Sequence, residues 1–258
     1  MRVTILGCGG SNGVPVIGNR WGDCDPAEPR NRRRRASVLL ESHDVTVLID
    51  ATPDMREQLL AADVHRIDAV LFSHAHADHC HGIDDLREVN RLTNRPLPVY
   101  GSAETLDALT SRFSYCFKPL QDPSHGFYRP VLVPTPVTPG IPFPIPPLTL
   151  LPIAQDHGYS VSLGFRIGNF AYSTDVLNLD DTAMAALGGL ETWVVDCVRI
   201  DPHPVHAHLA KVLEWVERLR PRRTWFTHMS NRMDYRHLLA TLPEGVAPAY
   251  DGQVIETE

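Results

Sequence analysis

Apolar positions along the chain fall into short continuous or alternating runs that read more often as strands than as helices. Residues 2–7 (RVTILG) predict a strand, and the glycine-rich GCGGSNGVP behind it predicts a loop, because so many of its positions accept positive φ. Beyond the polar, arginine-rich stretch 19–35, the runs 36–41 (ASVLLE) and 45–50 (VTVLID) predict two strands joined by Ser42-His43-Asp44, as a hairpin or meander. A proline followed by apolar residues at helical spacing predicts a helix over 53–63, and 68–73 (DAVLFS) reads as a buried strand. Helices are expected over 82–92 and 103–113, with a strand at 97–100 between them. From 129 to 152 prolines alternate with Val, Leu and Ile, which predicts short edge strands and loops. Strands over 160–167, 169–173 and 191–196 then lead to a helix over 207–220, a strand over 223–227 and a last helix near 232–241. Neither a repeat nor a linker divides the chain, so one domain over 1–258 is expected. Strands in runs punctuated by helices predict a layered α/β sandwich.

Composition narrows the partners more than the fold. The 258 residues are 43% hydrophobic, enough for a substantial core, and the formal charge of −7 argues against broad coating of nucleic acid, which requires Lys and Arg to release counterions. No stretch approaches the ~20 apolar residues of a membrane span, and MRVTILGCGG lacks a basic n-region and a long apolar core. A cytoplasmic protein without membrane attachment is expected. Five scattered cysteines (Cys8, Cys24, Cys80, Cys116, Cys197) form no C-x-x-C pair, so they predict small buried hydrophobes rather than a disulfide framework.

Chemistry concentrates in Ser73-His74-Ala75-His76-Ala77-Asp78-His79, where three imidazoles and a carboxylate follow directly on an apolar strand. Borderline divalent metals take nitrogen and oxygen ligands of this kind, and a strand-to-loop junction holds them rigidly with one side open. Such a loop can supply two adjacent ions.

A strand followed by H-x-H-x-D-H resembles the metallo-β-lactamase superfamily, which implies a four-layer αββα sandwich and further ligands downstream. By that resemblance His157 in Gln155-Asp156-His157-Gly158, Asp175 in Tyr172-Ser173-Thr174-Asp175 and His228 in Phe226-Thr227-His228-Met229 are the remaining ligands. The implied assignment is His74, His76 and His157 on one ion, Asp78, His79 and His228 on a second, and Asp175 shared. Two divalent ions, zinc or manganese with iron also suitable, would then lower the pKa of a bridging water for hydrolysis. Asp50, ending VTVLID, is expected either to orient the 74–79 loop through the free nitrogen of an imidazole or simply to cap a turn.

Within the superfamily, GCGGSNGVP, the arginines at 32–35, Gly82-Ile83-Asp84-Asp85-Leu86-Arg87 and Pro202-His203-Pro204-Val205-His206 resemble the phosphoribosyl 1,2-cyclic phosphate phosphodiesterase group. This implies a small phosphodiester substrate, a cyclic phosphate or a nucleotide-like diester. The core also resembles ribonuclease Z, in which a histidine some twenty residues before the last ligand assists departure of the leaving group. His206 stands there and is expected to be the general acid, with Asp78 the other residue placed in the chemistry, His203 and His208 rivals to His206, and Asp201 a cap or orienting group. Arg35 is a candidate phosphate clamp, although a solvated loop accounts for most of the arginine run. Only Cys24 stands where the phosphodiesterase group often has closely spaced cysteines, and Asn231 follows His228 where a histidine would be needed, so a separate structural zinc is not expected. Rival functions are a ribonuclease Z-like nuclease, whose basic arm is missing from the sequence, a glyoxalase-type thiolesterase, and a metal-dependent binding protein without turnover. The stretches 113–117 and 129–152 could form a homodimer surface or a substrate lid.

Overall fold

The computed structural model describes residues 1–121 and 126–257, and among them are two seven-stranded sheets. The first holds β1 (Arg2–Gly7), β2 (Ser37–Ser42), β3 (Val45–Ile49), β4 (Ala69–Leu71), β5 (Leu97–Gly101) and β6 (Leu132–Pro136). The second holds β7 (Phe143–Ile145), β8 (Leu148–Asp156), β9 (Val161–Ile167), β10 (Phe170–Ser173), β11 (Thr192–Asp196), β12 (Arg223–Thr227) and β13 (Val246–Pro248), after which β14 (Val254–Glu256) returns to pair with β1. Each sheet starts as an antiparallel meander and continues with parallel strands: β3 to β6 in the first, β10 to β13 in the second.

Side-chain alternation explains how the sheets stack. In β2, β3 and β4, residues Val38, Leu40, Val47, Ile49, Ala69 and Leu71 join a core shared with Phe165, Phe170, Trp193 and Phe226 of the second sheet. The intervening Leu39, Leu48 and Val70 face the other way, into a second core with Met55, Leu86, Leu106 and Leu109. These last belong to α1 (Met55–Ala61), α3 (Leu86–Thr93) and α4 (Ala103–Arg112), separated by the single-turn α2 (Ala77–Cys80). Beyond the second sheet, α5 (Asp181–Ala186), α6 (Leu209–Leu219) and α7 (Tyr235–Thr241) contribute Ala183, Val212, Trp215 and Leu238 to the first core. The result is the four-layer αββα sandwich. Among the described residues no helix is long and apolar enough to cross a membrane.

Several boundaries differ from the sequence expectation. The helix expected over 82–92 opens with a tighter turn at Ile83–Asp85 before α3, and the helix expected near 232–241 begins only at Tyr235, where Asp234 accepts from the His237 N–H as its cap. The proline-rich stretch does yield the edge strands β6 and β7, but it also runs into the first half of nine-residue β8, which is interior. Pro152 is tolerated there because β7 pairs only with residues 148–150, so no strand ladder requires an N–H at Pro152, whose carbonyl accepts from the Gly140 N–H at 2.8 Å. The five cysteines are buried and free.

Arg33 connects the arginine-rich segment to the segment after β12. It is 2% exposed and donates from Nη1 to the Ser230 carbonyl (3.2 Å) and from Nη2 to the Met233 carbonyl (2.6 Å) and Asn31 Oδ1 (3.2 Å). Its removal leaves buried acceptors without donors, so Arg33→Ala is expected to lower unfolding free energy by about 3 kcal/mol. Urea denaturation checks this, and a loss under ~0.5 kcal/mol would mean that the segment is held by other contacts.

Candidate metal centre

The sandwich delivers the predicted residues to one edge because the strands that carry them end there. β4 leads through Phe72 and Ser73 to His74, β8 leads to His157, β10 leads to Asp175, and β12 leads to His228. Asp78 and His79 lie on α2, which folds directly after His76 and is pinned by the Gly82 N–H donating to the Ala51 carbonyl at 2.9 Å. A Cβ on Gly82 would come within 2.1 Å of the Thr52 carbonyl oxygen, so this approach requires glycine. Asp50, Asp175 and His228 adopt left-handed backbone with φ of 66°, 49° and 54°. Such conformations cost a non-glycine residue about 1 kcal/mol each and turn the chain sharply at a strand end.

Two clusters share one carboxylate. In the first, His74 Nε2 lies 2.8 Å from His76 Nδ1, and His157 Nε2 lies 3.4 Å from the same atom, with Asp175 Oδ2 at 3.8 Å from His74 Nε2 and 3.5 Å from His157 Nε2. In the second, His79 Nε2 is 3.3 Å from Asp78 Oδ2 and 3.0 Å from Asp175 Oδ1, and His228 Nε2 is 3.5 Å and 3.3 Å from those oxygens. Ligands held about 2.0–2.2 Å from a tetrahedral ion stand roughly 3.3–3.6 Å apart, close to these separations. The buried Nε2 of His79 faces two carboxylates without a well-directed hydrogen bond to either, which places it to coordinate a cation that takes the place of its proton. Nitrogen and carboxylate donors at this spacing fit two divalent ions.

The opposite ring nitrogens are occupied as metal-ligating imidazoles require. His79 Nδ1 meets Asp50 Oδ2 at 2.7 Å, His74 Nδ1 meets Ser73 Oγ at 3.0 Å, and His157 Nδ1 donates to the Val205 carbonyl at 2.8 Å. Asp50, wholly buried, also accepts from the Ser73 N–H and hydroxyl, both at 2.7 Å, and so ties the start of the motif to β3.

Charge is distributed unevenly over the two clusters. Burial alone would lower the pKa of His228, but Asp175, Asp78 and Asp196 push it up to about 9. Burial also opposes charge on His79, yet Asp175, Asp78 and Asp50 raise it well above the usual imidazole range. His74, by contrast, is held well below that range by burial and then by His79, and His157 is lowered chiefly by burial. Negative charge therefore concentrates on the second cluster.

His206 comes to the same edge. Its Nε2 is 3.9 Å from Asp175 Oδ2, its ring stacks 4.7 Å from that of His228, and its Nδ1 is 2.8 Å from Asp196 Oδ2. Asp196, at the end of β11, was not anticipated from the sequence; the run TWVVD, parallel in form to VTVLID, was the available signal. Asp201, expected to cap α6 or orient His206, instead pairs with Arg232 at 3.2 Å on the surface. His203 sits with its ring 5.0 Å from His206, whereas His208 is the residue before α6 and makes no side-chain cap. Arg35 does not point free: its Nη1 meets Asp54 Oδ1 at 2.8 Å and its Nε donates to the Ser11 carbonyl at 3.3 Å. A cleft of about 270 Å³ opens beside His206 and His228, bordered by Gly10, Asn12, His203 and Arg232. A larger groove of about 450 Å³ between α1 and α3 includes none of these clustered ligands.

The chain as a whole is similar to several known proteins. Residues 45–229 match the family described as the beta-lactamase superfamily domain. A crystal structure of a diphosphatase from the PhnP family superposes with a TM-score of 0.90 at 33% identity, covering 100% of this chain and 98% of that one. The Anti-Pycsar protein Apyc1 of Paenibacillus harenae is 30% identical over 209 residues, which are 77% of this chain and 84% of that protein. An octanoyltransferase of Porphyromonas gingivalis is 31% identical over 98% of this chain, which spans about half (51%) of that longer relative.

Asp175→Ala is expected to remove the ligand common to both clusters. Equilibrium dialysis followed by elemental analysis should find fewer than one ion per chain in the variant and two in the parent. Two ions retained in the variant would deny Asp175 its bridging place.

Proposed function

Because the chain belongs to the β-lactamase superfamily, we propose that it is a metal-dependent phosphodiesterase that hydrolyses a small cyclic phosphate or nucleotide-like phosphodiester. The observation that carries this reading is the placement of His206, whose Nδ1 is committed to Asp196 and whose Nε2 faces the shared Asp175 oxygen beside the open cleft. An imidazole held in this way presents one nitrogen as a proton carrier. Thiolates leave without help, since their conjugate thiols have pKa values of about 8.5, whereas the alkoxide of a phosphodiester needs a proton as the P–O bond breaks. The arrangement thus serves an ester of an alcohol better than a thiolester. Likeness to a diphosphatase over the whole of both chains supports phosphoryl chemistry as well.

Two divalent ions, with zinc, manganese and iron(II) all suited to the donor set, would acidify a water for attack on phosphorus and neutralise charge on the phosphoryl oxygens. The chain supplies the rest. Asp50 and Ser73 keep the 74–79 segment in register, and Asp196 fixes His206 so that Nε2 can hand its proton to the departing oxygen. The cleft between Gly10, Asn12 and His203 takes the leaving-group side of the substrate.

Reconstituted protein should turn over bis(p-nitrophenyl) phosphate and a 2′,3′-cyclic nucleoside phosphate but not p-nitrophenyl phosphate. His206→Ala should slow the cyclic diester by about 100- to 1,000-fold while keeping both ions, and should slow the p-nitrophenyl diester far less, because p-nitrophenolate needs no proton to leave. Parallel kinetics and metal content on the same samples check this, and a protein holding two ions with no turnover of any phosphodiester would overturn the reading.

A further inference from the structure

The two clusters are supported from behind by different chemistry. In the first, the outer nitrogens of His74 and His157 meet neutral oxygens, those of Ser73 and Val205. In the second, His79 Nδ1 meets the carboxylate of Asp50, and His228 Nδ1 points toward another buried carboxylate, Asp196, with 3.8 Å to its Oδ1. Asp196 is wholly buried, and its Oδ2 already accepts from His206 Nδ1 at 2.8 Å and from the Val176 N–H at 3.1 Å. Its Oδ1 and the His228 Nδ1 are both buried, and neither has a hydrogen-bond partner. Two unpaired groups, one able to donate and the other to accept, thus face each other less than an ångström beyond bonding distance.

We propose that Asp196 is a positioning residue with two duties: its Oδ1 secures His228 as a ligand of the second ion, and its Oδ2 orients His206 as the proton donor. The inference rests on the metal-centre reading above. An imidazole that directs its Nε2 lone pair to a cation carries its proton on Nδ1, which makes His228 the donor that Oδ1 lacks. Both rings then hang on one carboxylate, stacked 4.7 Å apart and inclined by only 21°. Filling the second position draws His228 onto Asp196, and the same carboxylate sets the ring whose Nε2 faces the cleft. One carboxylate thereby holds both the ligand of the second ion and the proton donor.

Asp196→Asn tests this, because the amide preserves shape and one acceptor while its NH₂ cannot accept from the second imidazole. Chelator competition should show the second ion bound about 10- to 100-fold more weakly and the first unchanged, and the variant should lose rate on the cyclic nucleotide more than on bis(p-nitrophenyl) phosphate. His206→Ala should leave both metal affinities at parent values. If Asp196→Asn binds both ions as tightly as the parent and loses only leaving-group-dependent rate, Asp196 serves His206 alone and the proposal fails. Nitrogen-15 NMR of histidine-labelled parent protein gives a second measurement that needs no variant: zinc should produce a protected, downfield Nδ1–H on His228, and a freely exchanging proton there would overturn the proposal. A parent that takes two ions yet hydrolyses no phosphodiester would sink the function and leave the affinity and NMR results to decide the role of Asp196.

Discussion

Asp175 is a carboxylate 2% exposed to solvent, and a charge so deeply buried persists only where it is matched on both of its oxygens. Here Oδ2 faces His74 and His157, and Oδ1 faces His79 and His228. Those four imidazoles come from β4, β8, α2 and β12, so the electrostatic need of one side chain is met only when both sheets are stacked in register. Bridges between Gly9 and both Arg35 and Met229, and the Met229 N–H donating to the Cys8 carbonyl at 2.9 Å, fasten the strand ends at this edge. The left-handed backbone of Asp50, Asp175 and His228 is the local strain that such convergence requires.

Around that carboxylate the polar groups form successive shells with a consistent direction. Nε2 atoms of His74, His79, His157 and His228 point inward, and their Nδ1 atoms point outward to Ser73, Asp50, Val205 and Asp196. His206 uses its ring in the same sense, with Nδ1 anchored on Asp196 and Nε2 left at the cleft, whereas His76 turns its Nδ1 inward toward His74 and His157. Under the proposed function, a histidine held in this way beside the two clusters carries the proton.

Legibility in the sequence followed how locally each feature is encoded. Strands buried on both faces, such as VTVLI and AVL, announced themselves as apolar runs, and the motif from His74 to His79 placed four functional groups within six residues. His157, Asp175 and His228 were readable only as members of a family pattern, because each alone is an ordinary residue at a strand end. Asp196 was missed, since its partner His206 lies ten residues on, across an irregular loop whose path the sequence does not show. β13 and β14 were also missed, being three residues each and defined by pairing with β12 and β1 rather than by any periodicity of their own. α2 was hidden because four residues of ligand motif carry no helical pattern. Arg35 shows what charge alone leaves open: it suggested a phosphate clamp or a solvated loop, and packing engages its guanidinium with Asp54 and Ser11.

The most direct test of a shared Asp175 is a crystal structure of the metal-loaded protein with anomalous data collected at the edge of the bound metal. Two peaks about 3.5–4 Å apart, one contacted by Oδ2 of Asp175 with His74, His76 and His157 and the other by Oδ1 with Asp78, His79 and His228, are the predicted result. A single peak, or both Asp175 oxygens on one ion, would contradict the account.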